Sequence, residues 1–283
     1  MNLIKIKSQR ILLIMITLAF IFYIPKLHPQ QTYSSKEISI ISWNIQDFGK
    51  SKSDSIINAI ANIVRDYDIV ALQEVVAGYG GSQAVAKLAN SLNRTGSKWD
   101  YAISSPTQSP PYKTEKYAYL WKTSNLTLLK KPRLLSELNP VVFREPYLIR
   151  FKLDHKIITL LNYHARKHND KPEEEISQII EYLKTNNQTI LLGDFNLSET
   201  HTIWNSLYKL HYKASLKNNP TTLKRKCNGG KYTHHAIDNM YYNTKNIVIT
   251  RTGKVDFVAN CDLLKKARKI SDHLPIFIHF RFK

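Results

Sequence analysis

The chain has 283 residues, 43% hydrophobic and 22% charged, which excludes a disordered or low-complexity polypeptide and allows one large core or two small ones. Its two cysteines, Cys227 and Cys261, exclude a disulfide-dense scaffold and have no metal-type spacing. Lys and Arg number 41 against 22 Asp and Glu, a net charge of +19, which favours polyanionic partners such as nucleic acid or anionic headgroups.

Lys5, Lys7 and Arg10 precede an apolar run, "ILLIMITLAFIFYI", from Ile11 to Ile24. The run has the length of a signal-peptide core and is short of the ~18–20 residues that span a bilayer. "PKLHPQQTYSS" offers no small-x-small cleavage site. A signal peptide and a short uncleaved anchor both remain open, and a buried core helix is the alternative. Either of the first two exports the rest of the chain. Residues 1–31 are therefore expected to be leader and linker, with membrane contact open, and residues 32–283 the functional domain.

"EISIISWN" (37–44) predicts a strand. In "SKSDSIINAIANIVRDYD", Ile56, Ile60, Ile63 and Val64 recur at helical spacing, with Ser53 or Asp54 as cap. "DIVALQE" (68–74) predicts a strand covered on both faces, and 82–92 a helix. Residues 117–122 and 126–130 predict one hairpin, and 146–153 and 156–164 another that turns at Asp154-His155. A helix with Pro at its start and acids in its first turn follows over 171–184. Strands over 188–194, 236–242 and 246–250 and from Ile276 complete the set. Helices interleaved with strand pairs point to an α/β domain with mixed or antiparallel sheets. The two cysteines could form a disulfide in an exported protein; the residues leave that open.

The polar residues sit at strand ends. "IISW" ends in Asn44, "IVAL" in Gln73-Glu74, "ITLLNY" in His164 and "ILLG" in Asp194-Phe195-Asn196. Asp238 begins one strand and Asp272-His273 another. In antiparallel neighbours, strand ends lie beside strand starts, so these groups can gather on one rim. Carboxylates and amide oxygens suit a hard cation, Mg2+ or Mn2+, with Ca2+ a further candidate. Two histidines with carboxylate partners suit a general base and a general acid. Together they fit hydrolysis of a phosphate ester by water.

"SWNIQDFG", "DIVALQEV", "LLGDFN" and "SDHLPI", in this order, resemble the endonuclease/exonuclease/phosphatase superfamily, and within it the deoxyribonuclease I branch. "KTEKYAYLWK", "FREPYLIRF" and "YHA" add to the resemblance, which covers residues 38–282. It implies a four-layer αββα sandwich of two packed mixed sheets. It implies that Glu74, with Asn44, holds the metal and that Asp272 supports the metal side. It pairs His164 with Glu115 and His273 with Asp238 as acid–base histidines. Asp194 and Asn196 would orient water, metal and phosphate oxygens. Arg144 would contact a substrate phosphate, and Tyr112, in a stretch one residue longer than the family spacing, the groove of the nucleic acid. The implied substrate is DNA, with RNA open, and the implied protein a monomer without a protein partner. His201, His211, His234 and His235 match no motif; the adjacent His234 and His235 either line the site or belong to a solvated loop. A phospholipid or inositol-phosphate phosphoesterase shares the core motifs and is the alternative, with a non-catalytic DNA-binding protein behind it.

Overall fold

The computed structural model describes residues 36–110, 112–138 and 141–283; the expected leader and linker (1–31) lie outside the described residues. In chain order the elements are β1 (Ile38–Phe48), α1 (Asp54–Val64), β2 (Ile69–Val76), α2 (Tyr79–Asn93), β3 (Trp99–Ile103) and β4 (Glu115–Lys122). Then come β5 (Thr127–Leu128), β6 (Arg133–Leu134), β7 (Tyr147–Leu153), β8 (Lys156–His164), α3 (Pro172–Thr185), β9 (Thr189–Asp194) and α4 (Trp204–Lys209). The last part holds β10 (Tyr212–Ala214), β11 (Leu223–Asn228), β12 (Lys231–Thr233), β13 (Asp238–Asn243), β14 (Ile247–Lys254), α5 (Leu264–Ala267) and β15 (Ile276–Phe282).

Two mixed sheets result. One runs β14-β15-β1-β2-β4-β3, the other β10-β13-β9-β8-β7-β5 with β6 also on β7. The pairs β1/β2 and β8/β9 are parallel, which brings Asn44 beside Gln73 and His164 beside Asp194. The antiparallel pair β9/β13 sets Asp194 opposite Asp238. These three registers carry the rim.

Strand alternation builds the layers. Ile38, Ile40, Ile69, Ala71, Tyr117 and Tyr119 of one sheet meet Tyr147, Ile149, Leu160 and Leu192 of the other in a core between the sheets. The opposite faces take the helices: Ile41, Trp43, Val70 and Leu72 cover α1 and α2, and Leu161, Tyr163 and Leu191 cover α3. On α1 the buried residues are Ile57, Ile60, Ala61 and Val64, one helical stripe. Burying each large aliphatic side chain stabilises the fold by about 1.5–3 kcal/mol. Ser53 caps α1, its side chain accepting from the Ile56 amide. The four-layer αββα sandwich is thus the architecture of the described residues.

One expectation changes and one open question closes. Residues 115–122 and 127–128 are not one hairpin: β4 pairs with β2 and β3, whereas β5 pairs with β7 in the other sheet. The turn between them carries the chain across the core, and Leu126 is buried in that core. Cys227 and Cys261, left open above, form a disulfide with their Cα atoms 5.8 Å apart. Among the described residues no helix is long and apolar enough to cross a membrane.

Candidate active site

A bulge sets the first residue of the site. In the β2/β4 ladder Leu72 faces Ala118 and Val75 faces Lys116, so β2 carries one extra residue. Glu74 lies in it at φ 58°, a left-handed conformation that costs a non-glycine residue of order 1 kcal/mol or more. The bulge resets alternation, so that Leu72 and Val75 both face the helices and Glu74 turns to the rim. Its neighbour Gln73 points the other way and is buried between the sheets. There its amide donates to Ser42 Oγ at 3.1 Å and Asn162 Oδ1 at 2.6 Å. Gln73 is a tie between sheets, not a part of the rim cluster.

The two histidines stand in matching arrangements. His164 Nδ1 lies 2.9 Å from Glu115 Oε2, and His273 Nδ1 lies 2.9 Å from Asp238 Oδ2. A ring nitrogen that donates to a carboxylate fixes the tautomer, leaving Nε2 to face the site. The two Nε2 atoms approach the same oxygen, Asp194 Oδ2, at 3.6 Å from His164 and 3.7 Å from His273. All five side chains are buried.

Asp194 is held by Asn44 Nδ2 at 3.0 Å on Oδ2 and by the Asn196 amide at 2.9 Å on Oδ1. Asn196, at φ 49°, also donates its side-chain amide to Ala165 O at 3.1 Å. Asn44 Nδ2 is shared with Glu74 Oε1, again at 3.0 Å. Two carboxylate neighbours require the NH2 end of the amide there. Asn44 Oδ1 is consequently buried with no hydrogen-bond partner in the structure.

Such an orphan costs free energy unless something meets it. A hard cation fits: an amide oxygen without a donor, next to the Glu74 carboxylate, is the donor set a divalent ion takes. Asp194, Asp238 and His273 also offer ligand atoms within 4.8 Å of one another. Within that group His273 Nδ1 is taken up by Asp238 and Asp194 by Asn44, whereas Asn44 Oδ1, whose own amide nitrogen bonds Glu74, is unmet. Asp272 is brought to the edge of the site: its carboxylate lies 3.7 Å from Arg268 Nη2 and is partly exposed.

Arg144 is buried, its Nε donating to His164 O at 2.9 Å and its Nη2 to Ala165 O, with Nη1 3.8 Å from Glu115 Oε2. The guanidinium is turned inward onto the His164 strand end. Tyr112 is fully exposed, at φ 64°. His234 and His235 are exposed and in ring contact with each other.

Charge follows from this packing. Burial disfavours the His273 cation, but Asp238, Asp194 and Asp272 outweigh it and the ring is pushed up to about 10. Burial and the Arg144 charge work against the His164 cation, yet Glu115 and Asp194 hold it above the ordinary histidine range. Burial opposes ionisation of Glu115, and His164 with Arg144 overcomes it, so that carboxyl lies below its ordinary range. Asp194 is likewise lowered against burial by the two histidines. Burial raises Asp238, with the Asp194 charge adding to it; the proton of the His273–Asp238 pair resides on the ring.

Several supporting residues were assigned no role from the sequence, although Trp43 and Ser271 lie within the quoted motifs. Thr221 Oγ1 donates to Asp238 from seventeen positions away. Ser271 Oγ donates to Asn44 O at 2.7 Å and accepts from the His273 amide at 3.2 Å. Trp43 Nε1 donates to His273 O at 2.8 Å. Hydroxyls and indoles of this kind are common in any core; only their spatial partners single them out.

The sequence profile of the Endonuclease/Exonuclease/phosphatase family matches residues 41–273. A deoxyribonuclease of Thioalkalivibrio sp. (strain K90mix) is 25% identical over 184 residues, 60% of this chain and 49% of that protein. The chain thus spans about half the length of that relative. Deoxyribonuclease-1 of Equus caballus is 27% identical over 262 residues, 84% of this chain and 90% of that one. A crystal structure of an endonuclease/exonuclease/phosphatase family protein from Bacteroides thetaiotaomicron superposes with a TM-score of 0.62 at 18% identity, covering 89% of this chain and all of that one, which shows the shared fold.

Proposed function

The chain belongs to the endonuclease/exonuclease/phosphatase family, and from that premise we propose that it is an exported, divalent-metal-dependent endonuclease that hydrolyses DNA. One observation carries the reading: two carboxylate-backed histidines converge through Nε2 on a single oxygen of Asp194, beside Asn44 and Glu74. Glu74 and Asn44 Oδ1 would hold Mg2+ or Mn2+, with Asp272 on the same side. A hard divalent cation there supplies neutralisation of phosphate-oxygen charge and brings the neighbouring imidazolium towards the neutral form.

In this reading His273, its Nδ1–H donated to Asp238, takes a proton at Nε2 from the attacking water. The water oxygen bonds to phosphorus as the bond to the leaving oxygen breaks. His164, its Nδ1–H donated to Glu115, gives the proton at Nε2 to that leaving oxygen. Asp194 and Asn196 orient the reacting oxygens. Arg144 keeps His164 and Glu115 in register from behind, a positioning role in place of the phosphate contact expected of it. Export is supported by the basic flank and apolar run of residues 5–24 and by a disulfide of the kind that persists in oxidising compartments.

The test is a substrate panel: purified protein with supercoiled plasmid, RNA, sphingomyelin and inositol phosphates in Mg2+. Conversion of plasmid to nicked and linear forms is expected. Release of phosphocholine or inorganic phosphate, with DNA left intact, would overturn the assignment.

A further inference from the structure

The hairpin β11–β12 stands beside the His273 pair and carries charge that the cluster does not use. It is a two-stranded sheet of its own, turning through Gly229 and Gly230, both at positive φ. Its root is bonded into the site. The Leu223 amide donates to Asp272 O and the Leu274 amide to Thr221 O, each at 2.7 Å. Thr222 forms a β-bridge with His273, and Thr221 holds the Asp238 carboxylate. Beneath it Leu223, Val258, Leu264, Ala267 and Leu274 form a separate small core. The Cys227–Cys261 disulfide ties the hairpin to the segment that leads into α5. The arm is therefore anchored at its base, along its underside and near its tip.

Its exposed side chains are mostly cationic. Residues 223–233 contain Lys224, Arg225, Lys226 and Lys231 and no acid; Arg225, Lys226 and Lys231 are exposed. The tethered segment adds exposed Lys265, Lys266 and Lys269. Among the described residues none of these seven cations forms an ion pair, whereas Arg268 between them is taken up by Asp272. Holding like charges together costs free energy, and here small-core packing and a covalent bond hold them. A run of negative charges close to the catalytic rim would relieve that repulsion.

We propose that this stapled arm is a backbone clamp for a nucleic-acid strand, so that the substrate is a polymer with successive phosphates and not a single small phosphate ester. The inference rests on the phosphodiesterase reading above and deepens it. Lysine and arginine neutralise backbone phosphates without reading sequence, so the arm adds affinity and salt dependence while the chemistry stays at the histidines.

The experiment compares the full oxidised chain with the triple variant Arg225→Ser, Lys226→Ser, Lys231→Ser on two substrates, linear duplex DNA and the small diester bis(4-nitrophenyl) phosphate. Arg225→Lys alone, with the charge kept, is the control. For the triple variant, kcat/KM on the small diester should stay at the wild-type value, and on DNA it should fall about tenfold or more at physiological salt. The log–log salt slope should flatten by about 0.9 for each phosphate no longer neutralised, up to about 2.7 for three. Arg225→Lys should keep DNA cleavage. A triple variant with wild-type DNA cleavage and salt slope would overturn the clamp while leaving the nuclease reading intact. A wild-type protein that hydrolyses the diester but not DNA would overturn both. Binding to phosphatidylglycerol vesicles that the triple variant loses, with DNA cleavage unchanged, would also overturn it and assign the arm to a lipid surface.

Discussion

Asp238 lies 2.9 Å from the ring it orients, and that contact makes His273 and Asp238 a unit. Removing a positioned acid–base group costs on the order of 10²–10⁴ in rate. His273→Ala is expected to lose about that much with DNA affinity little changed, and Asp238→Asn to lose a large part of it. The double variant should be little worse than His273→Ala, because groups acting together are not additive. Cleavage rates and melting temperatures of the three variants check this; multiplicative rate losses would refute the unit. Glu115 makes a prediction about stability. Its carboxyl is held below its ordinary 4.5 and the His164 ring above its ordinary 6.5. The Glu115 contribution is present above about pH 4.5 and lost as pH falls through its lowered value. The His164 contribution is present below about 6.5 and lost as pH rises through its raised value. Glu115→Gln should therefore lower the melting temperature most between these limits and less in strong acid; a gap that grows on acidification would contradict it. At this scale most of the cluster was legible, because a polar residue ending an apolar strand is conspicuous. Arg144 was expected to contact a substrate phosphate, and nothing local in "FREP" announces that its donors meet the His164 and Ala165 carbonyls.

The strands position these residues through two close approaches. One is the β2 bulge at Glu74. The other is Gly193, at φ 139°, where a Cβ would meet Tyr163 O at 1.9 Å. Only a residue without a side chain lets β9 run this near β8, and that approach aligns Asp194 with His164. Gly193→Ala is expected to destabilise the fold by about 2–4 kcal/mol through backbone strain and overpacking. Thermal or denaturant unfolding measures it, and a loss under about 1 kcal/mol would show that the strands part freely. The glycine of "LLGDFN" was visible in the sequence, but its reason was not: the obstructing oxygen lies thirty residues earlier. Strand β3 escapes a sequence reading because "WDYAI" buries only Trp99 and leaves Asp100 and Tyr101 exposed, so it has no alternation to read. The hairpin β11–β12 escapes it because cations dominate β11 and its apolar support comes from α5 and the loop before it.

For the whole molecule, the net charge of +19 favours a polyanionic substrate, in keeping with the proposed hydrolysis of DNA at the buried rim. DNA binding should weaken steeply with salt, by roughly the 0.9 power of salt concentration per neutralised phosphate; a flat response between low and physiological salt would count against nucleic acid. The layer order was legible only through the family resemblance, because strand and helix periodicity alone reaches an α/β domain with mixed or antiparallel sheets and does not say how the sheets stack. In the proposed reaction Glu74 and the unpartnered Asn44 oxygen hold the cation on which hydrolysis depends. The most direct measurement of this role is plasmid cleavage by wild type and Glu74→Gln in Mg2+ and in excess chelator, with both proteins confirmed folded by their melting curves. Wild type is expected to cleave in Mg2+ and not in chelator, and Glu74→Gln to lose at least about a hundredfold. Wild-type cleavage in chelator, or a Glu74→Gln protein as active as wild type, would contradict it.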